Sequence, residues 1–273
     1  MGSLALVGIS HTYHSKYGET SAIENINLKV NDGEFFGIVG PSGSGKTTLL
    51  SIMAGVLTPS AGSVLLDGSP PDKGQIGYML QRDQLFEWRT ILRNVTLGLE
   101  IAKNKTDEAK TYAEYLLEKY GLWEFRDRFP HELSGGMRQR AALIRTMVLR
   151  PSVILLDEPF SALDYQTRLS VGEDVHAIIK NEGLTAVLVT HDISEAIALC
   201  DRVAVLTKRP ATVKTVLDVP LTAENTLDRR EEAGYALLFK RIWKELEVRE
   251  EELRKEENVL DRASSVSASP KPQ

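Results

Sequence analysis

The chain has 273 residues, with 33 Lys and Arg against 38 Asp and Glu, a formal net charge of −5 and 42% hydrophobic residues. That acidic balance argues against a broad nucleic-acid face, which needs cations to displace counterions, and the one cysteine, Cys200, excludes an internal disulfide and a cysteine-built zinc site. No run approaches the ~18 apolar residues of a membrane span and the start MGSLAL lacks a charged-then-apolar leader, so a cytoplasmic location is expected. In chain order, strands are predicted at residues 5–9, 26–30 and 35–39, separated by turn residues such as Asn31-Asp32-Gly33. A helix follows over 46–56, with Leu49, Leu50 and Met53 on one face, then a turn at 59–62 and a strand at 63–66. Helical periodicity returns at 103–120 and 131–149. The fully apolar run 153–156 reads as a strand buried on both faces, followed by a helix at 169–180, a strand at 186–189, a helix at 193–199 and a strand at 203–206. This alternation predicts an α/β layer fold with a mainly parallel sheet.

Two motifs point to phosphate chemistry. Gly40-Pro41-Ser42-Gly43-Ser44-Gly45-Lys46-Thr47, followed by Thr48, fills G-x-x-x-x-G-K-[ST] completely, between a predicted strand and a predicted helix. The glycines let successive backbone N–H groups turn inward on anionic oxygens, and the helix behind presents its positive end. Lys46 would bridge the β and γ phosphates and Thr47 would hold Mg²⁺. About 110 residues on, the apolar run 153–156 delivers Asp157 and Glu158. Asp157 fits the metal shell, and Glu158 fits a general base acting on water.

The stretch Leu133-Ser134-Gly135-Gly136-Met137-Arg138-Gln139-Arg140 supplies a second candidate anion site: Ser134 is a good N-cap and the glycines leave helix amides bare. Here the sequence resembles the ATP-binding-cassette ATPases, whose signature is LSGGQ before a basic helix; Met137 replaces the usual Gln. The resemblance runs from about residue 4 to 220. It implies a P-loop core with an antiparallel β subdomain and a helical subdomain at about 82–150. Gln81 resembles the Q-loop glutamine, a metal and coupling residue. Ser161-Ala162-Leu163-Asp164 resembles the D-loop, with Asp164 beside nucleotide, and His191 resembles the switch histidine that contacts the γ-phosphate. Tyr13 resembles the aromatic that stacks on adenine, with Tyr17 a weaker candidate. The resemblance further implies a head-to-tail dimer sandwiching two ATP molecules, in which Ser134, Gly135 and Gly136 face the partner's phosphates.

Asn104-Lys105-Thr106-Asp107 matches the guanine motif N-K-x-D, but it lies in a charged helical stretch rather than after a buried strand. Sequons at Asn94 and Asn104 have no use in a cytoplasmic chain. The interval between P-loop and signature, about ninety residues, leaves no room for the long coiled coils of the DNA-repair relatives. An iron–sulfur-assembly ATPase of one cassette stays open as an alternative. The segment from Gln81 to Val95 is similar to the nitrate/sulfonate/taurine importer ATPases, with Glu87 where that group has proline; Arg209-Pro210 fits the same group. Leu85, Phe86 and Trp88 are either core or a docking patch, and the resemblance favours docking against a permease. That resemblance implies permease subunits and an extracytoplasmic binding protein as partners, at the cytoplasmic face of the membrane, for a small anion or vitamin precursor. Beyond residue 220, Tyr235, Leu238, Phe239, Ile242 and Leu246 recur at helical spacing, predicting an amphipathic helix over about 228–247. That helix either packs on the cassette or serves regulation or dimer contact. The extension is expected to run over 221–263, and residues 264–273, rich in Ser and Pro, are expected to be disordered.

Overall fold

A computed structural model of the chain describes residues 2–16, 18–103 and 106–246. The elements that build it are β1 (Leu4–Ser15), β2 (Gly18–Val30), β3 (Phe35–Val39), α1 (Lys46–Met53), β4 (Ala61–Leu66) and β5 (Ile76–Met79). Next come α2 (Ile91–Val95), α3 (Leu97–Ile101), α4 (Asp107–Lys119), α5 (Gly135–Met147), β6 (Val153–Asp157) and α6 (Tyr165–Asn181). They are followed by β7 (Thr185–Thr190), α7 (Ile193–Leu199), β8 (Arg202–Leu206), β9 (Val213–Asp218), α8 (Thr226–Arg229) and a last helix, α9, over 233–246.

Six strands form one sheet in the order β5-β6-β7-β3-β8-β9, parallel except for the β8/β9 pair, and β2-β1-β4 form a separate antiparallel sheet. The central strands β3, β6 and β7 are buried at every position because both faces are covered. Ile154 and Leu156 of β6, and Ala186 and Leu188 of β7, pack with the helices α2 to α6. Their neighbours Val153, Leu155, Val187 and Val189 pack on the opposite side with α1 and the antiparallel sheet. At ~1.5–3 kcal/mol for each fully buried aliphatic side chain, this double layer fixes the strands' carboxyl ends in place.

Several boundaries differ from the sequence expectation. The first helix stops at Met53 rather than 56, because Gly55 turns left-handed (φ 69°) just past its end. The 103–120 helix starts only at Asp107, where Thr106 accepts a hydrogen bond from Ala109 N. The 131–149 helix starts at Gly135: Ser134 caps it by accepting from Met137 N, and residues Pro130–Glu132 form a 3-10 turn instead. The 169–180 helix begins a turn early, at Tyr165, because Asp164 caps it through Thr167 N. β1 and β2 run on past their apolar stretches, paired to each other out to Ser15 and Gly18. The helix predicted over 228–247 is broken: α8 ends at Arg229, and α9 starts again at 233. Leu238 and Ile242 of α9 are buried in the core on the helical side of the sheet, with Tyr235 and Phe239 packed against it. The segment beyond 246 lies outside the described residues.

Candidate functional site

In an open parallel sheet, ligands gather beyond the strands' carboxyl ends. Four adjacent turns there carry the candidate residues. β3 leads into Gly40–Gly45, β5 into Gln81, β6 into Asp157 and Glu158, and β7 into His191.

The loop after β3 needs its glycines for stated reasons. Gly43 and Gly45 have φ of 73° and 98°, and a Cβ on Gly45 would sit 3.1 Å from the carbonyl oxygen of Ala22. The loop closes on Lys46, whose Nζ donates to the carbonyls of Gly40 (2.9 Å) and Pro41 (3.0 Å). Burial pulls the Lys46 ammonium below its ordinary pKa, against the opposing pull of Glu158 and Asp157. Ser44 Oγ is buried with no partner among the described residues. Thr48 shares a 3.1 Å hydrogen bond with the Tyr13 hydroxyl, so the candidate base-stacking ring is tied to the helix that starts at the loop. Tyr17, like Asn104 and Lys105 of the guanine-type motif, lies outside the described residues.

Asp157 is 5% exposed. Thr47 Oγ1 donates to its Oδ1 at 3.5 Å and the Tyr78 hydroxyl to its Oδ2 at 3.2 Å. Burial raises the Asp157 pKa, while the bonds from Tyr78 and Thr47 pull it down. Tyr78 is pushed up to about 12, by burial first and then by the Asp157 charge, so it stays a donor. Sequence reasoning missed Tyr78; its signal was a short half-buried strand, 76–79, that aligns with β6. The pairing of a buried carboxylate with a hydroxyl on the loop helix is the hard oxygen set that suits Mg²⁺. Among the described residues no group of three His, Cys, Asp or Glu could hold a metal unaided.

Glu158 adopts φ 43°, a left-handed conformation that costs a non-glycine residue of order 1–3 kcal/mol. Its backbone is held there by N–H donation to Val189 O at 2.8 Å, and its carbonyl accepts from Ser161 Oγ at 2.9 Å. The strained turn aims the carboxylate between two groups. Gln81 Nε2 donates to Oε2 at 3.4 Å, and His191 Nδ1 lies 3.1 Å from the same oxygen. Gln81, Glu158 and His191 thus meet, one turn from Asp157 and Thr47.

Ser134 and Asp164 stand elsewhere in the single chain, each capping a helix: Ser134 for α5, Asp164 for α6, where it also accepts from Thr167 Oγ1 at 2.6 Å. Gly135 and Gly136 do more than bare their amides. A Cβ at Gly135 would meet Leu163 Cδ2 at 2.9 Å, and one at Gly136 would meet Val171 Cγ2 at 2.7 Å. Gly136 thus lets α5 pack closely on α6, and Gly135 lets it approach the 161–164 turn before α6.

The aromatic cluster after Gln81 divides. Leu85 is buried, Phe86 half-exposed and Trp88 74% exposed, with the Phe86 and Trp88 rings 4.8 Å apart. Asn94, fully buried, holds this turn: its Oδ1 accepts from Phe86 N and its Nδ2 donates to the carbonyls of Phe86, Arg89 and Thr90. Cys200 is fully buried core, its thiol pKa raised by burial.

The family model described as "ABC transporter" matches residues 23–161. The chain belongs to the ABC transporter family. Across 258 residues it is 47% identical to the uncharacterized ABC transporter ATP-binding protein YtlC of Bacillus subtilis (strain 168), covering 93% of this chain and 99% of that one. It is 38% identical over 224 residues to the nitrate import ATP-binding protein NrtD of Synechocystis sp., covering 81% and 84%. Among solved structures, the dimeric post-hydrolysis state of the ATP-binding cassette MJ0796 bound to ADP and Pi superposes with a TM-score of 0.66 at 31% identity, covering 79% and 98%. The ABC cassette fold and an ATP-binding, ATP-hydrolysing activity follow for this chain. Among the described residues no helix is long and apolar enough to cross a membrane.

Proposed function

We propose that the chain is the ATP-hydrolysing subunit of a multi-subunit importer, working as a pair of copies at the cytoplasmic face of the membrane. The observation that carries the catalytic half is the Glu158 carboxylate, held in a strained turn between Gln81 and His191 and next to Asp157. Ser42, Gly43, Ser44, Gly45 and Thr48 line the phosphate cradle with Gly40 and Pro41, and Lys46 supplies a fixed cation where charge builds on the γ-phosphoryl oxygens. Thr47, Asp157 and Gln81 would hold Mg²⁺, whose charge would offset that building on the outer phosphates. Glu158 accepts the proton of the attacking water, and His191, across the same carboxylate oxygen, orients that water and contacts the γ-phosphate. Tyr13 carries the adenine. Ser134, Gly135, Gly136 and Asp164 of one copy complete the site of the other, an arrangement consistent with the dimeric state of the MJ0796 cassette.

The importer half rests on the NrtD relative, named for nitrate import, and on the exposed Trp88 turn beside Gln81. We assign that turn to the permease contact, with an extracytoplasmic binding protein reading a small anion or vitamin precursor. The test is co-expression of the chain with candidate permeases drawn from the genes that neighbour its own. Wild-type protein should co-purify with one of them and Trp88→Ala should lose it, with ATP hydrolysis by the isolated chain unchanged. Co-purification with a soluble iron–sulfur scaffold and not with a permease would sink the importer reading.

A further inference from the structure

One arginine joins the two ends of this machinery. Arg168 sits one turn into α6, side chain 28% exposed. Its Nη2 donates to the carbonyl oxygen of Leu163 at 3.2 Å, and its Nη1 lies 3.5 Å from Oδ2 of Asp192. Its buried Nε has no hydrogen-bond partner among the described residues, so these two contacts anchor the guanidinium.

Each contact leads to a different half of the proposed mechanism. Asp192 is the residue after His191. Its Oδ1 caps α7 through Ser194 N (2.8 Å) and Glu195 N (3.2 Å), and its own N–H donates to Thr190 Oγ1 at 3.0 Å. The turn bearing His191 is therefore pinned at Thr190 and Asp192, and Asp192 is pinned in turn by Arg168. On the other side, the Leu163 side chain lies against Gly135, close enough that a Cβ there would collide at 2.9 Å. A shift at the start of α5 reaches the 161–164 turn through this side-chain contact, because packed interiors transmit strain.

We infer that Arg168 is a positioning residue that couples the Ser134–Gly136 helix start, which serves the partner's nucleotide, to the His191–Glu158 pair, which serves the chain's own. It acts through the Leu163 carbonyl and the Asp192 carboxylate, a planar cation bridging two acceptors in fixed geometry as an ammonium could not. This inference rests on the roles given above to Ser134, His191 and Glu158.

The experiment compares full-length wild type with Arg168→Ala, Arg168→Lys and Asp192→Asn, using Glu158→Gln as the reference for the underlying reading. Steady-state ATP hydrolysis gives kcat, KM and the Hill slope. Binding of a fluorescent ATP analogue and thermal unfolding are measured in parallel. Arg168→Ala should lower kcat about tenfold or more and bring the Hill slope to 1, with KM and analogue affinity within threefold of wild type. Arg168→Lys should recover part of kcat, since an ammonium can reach one acceptor. Asp192→Asn keeps the Oδ1 cap of α7 while removing the charge, and should reproduce the Arg168→Ala kinetics with the unfolding temperature unchanged. A kcat within twofold of wild type in Arg168→Ala or in Asp192→Asn overturns the inference. So does a parallel loss of kcat, analogue affinity and thermal stability in Asp192→Asn, which marks a purely structural contact. Hydrolysis at the wild-type rate by Glu158→Gln would instead remove the reading beneath it.

Discussion

Replacing Glu195 by Gln should stabilise the protein at alkaline pH and do so progressively less as pH falls. Glu195 lies in α7, 7% exposed. Burial pushes its carboxyl up to about 7 from the ordinary 4.5; the Asp192 charge adds to this, while a hydrogen bond from Thr190 and the charges of Arg168 and His191 oppose it. An acid whose folded pKa is raised binds its proton more tightly folded than unfolded, so it costs stability once the solution pH passes the unfolded value. Below about pH 4.5 both states keep the proton and there is no penalty. Between 4.5 and 7 the unfolded chain releases it while the folded chain does not, and stability falls as pH rises; above 7 the penalty is complete. A gap of about 2.5 units at about 1.4 kcal/mol per unit gives about 3 kcal/mol. The Gln variant escapes that term and can still accept from Thr190. Urea unfolding, followed by tryptophan fluorescence, should show Glu195→Gln more stable than wild type by about 3 kcal/mol at pH 8.5 and by roughly half of that or less at pH 5.5. A difference that does not change with pH, or a variant less stable at pH 8.5, would refute the reasoning.

Lys46→Ala should reduce hydrolysis to background and weaken ATP binding at least tenfold, measured by nucleotide titration, because the developing phosphate charge loses its fixed cation. Gly136→Ala places a methyl 2.7 Å from Val171 Cγ2 in a buried contact and should lower stability by about 1–3 kcal/mol in denaturant melts; adding Val171→Ala should recover part of that loss if the clash is its cause. Tyr13→Ala should raise the KM for ATP several-fold with little change in kcat, whereas Asp107→Ala, at an exposed helix start, should leave the ATP/GTP preference unchanged in competition assays.

The sheet was readable because the runs 153–156 and 186–189 are short and wholly apolar, a pattern that suits strands buried on both faces. β5 and β9 escaped notice because both are half-buried at the sheet's edges, with Gly77 interrupting one and Lys214 the other. α2 and α3 have five residues each, less than two turns, too short for a periodicity to register. Lys46, Thr47, Asp157, Glu158 and His191, the candidates at fixed motif positions, lie around adjoining turns at the carboxyl ends of β3, β6 and β7. The connections between motifs were not legible. Tyr78 on Asp157, Arg168 between Leu163 and Asp192, and the Gly136–Val171 contact each join segments from 24 to 79 residues apart or set side by side by helix packing, which no local pattern encodes. The break between α8 and α9 was hidden for a related reason. Arg229 reaches back to the Ala198 and Ala223 carbonyls, and this tertiary demand ends the helix where the sequence pattern continues.

The buried amide of Asn94 has a mechanical consequence for the Trp88 turn. Its oxygen and both its hydrogens are spent on the backbone of residues 86 to 90, so an indole that is mostly in water nonetheless stands on a stiff base. A partner covering Trp88 has little backbone freedom to freeze, and gives up only the ~0.5–1.5 kcal/mol of an immobilised side chain. A stiff base also does what a compliant one cannot: it passes displacement instead of dissipating it. Asn94→Ala would turn a lever into a spring. In the proposed complex hydrolysis would continue, with each cycle doing less work on a partner docked at Trp88.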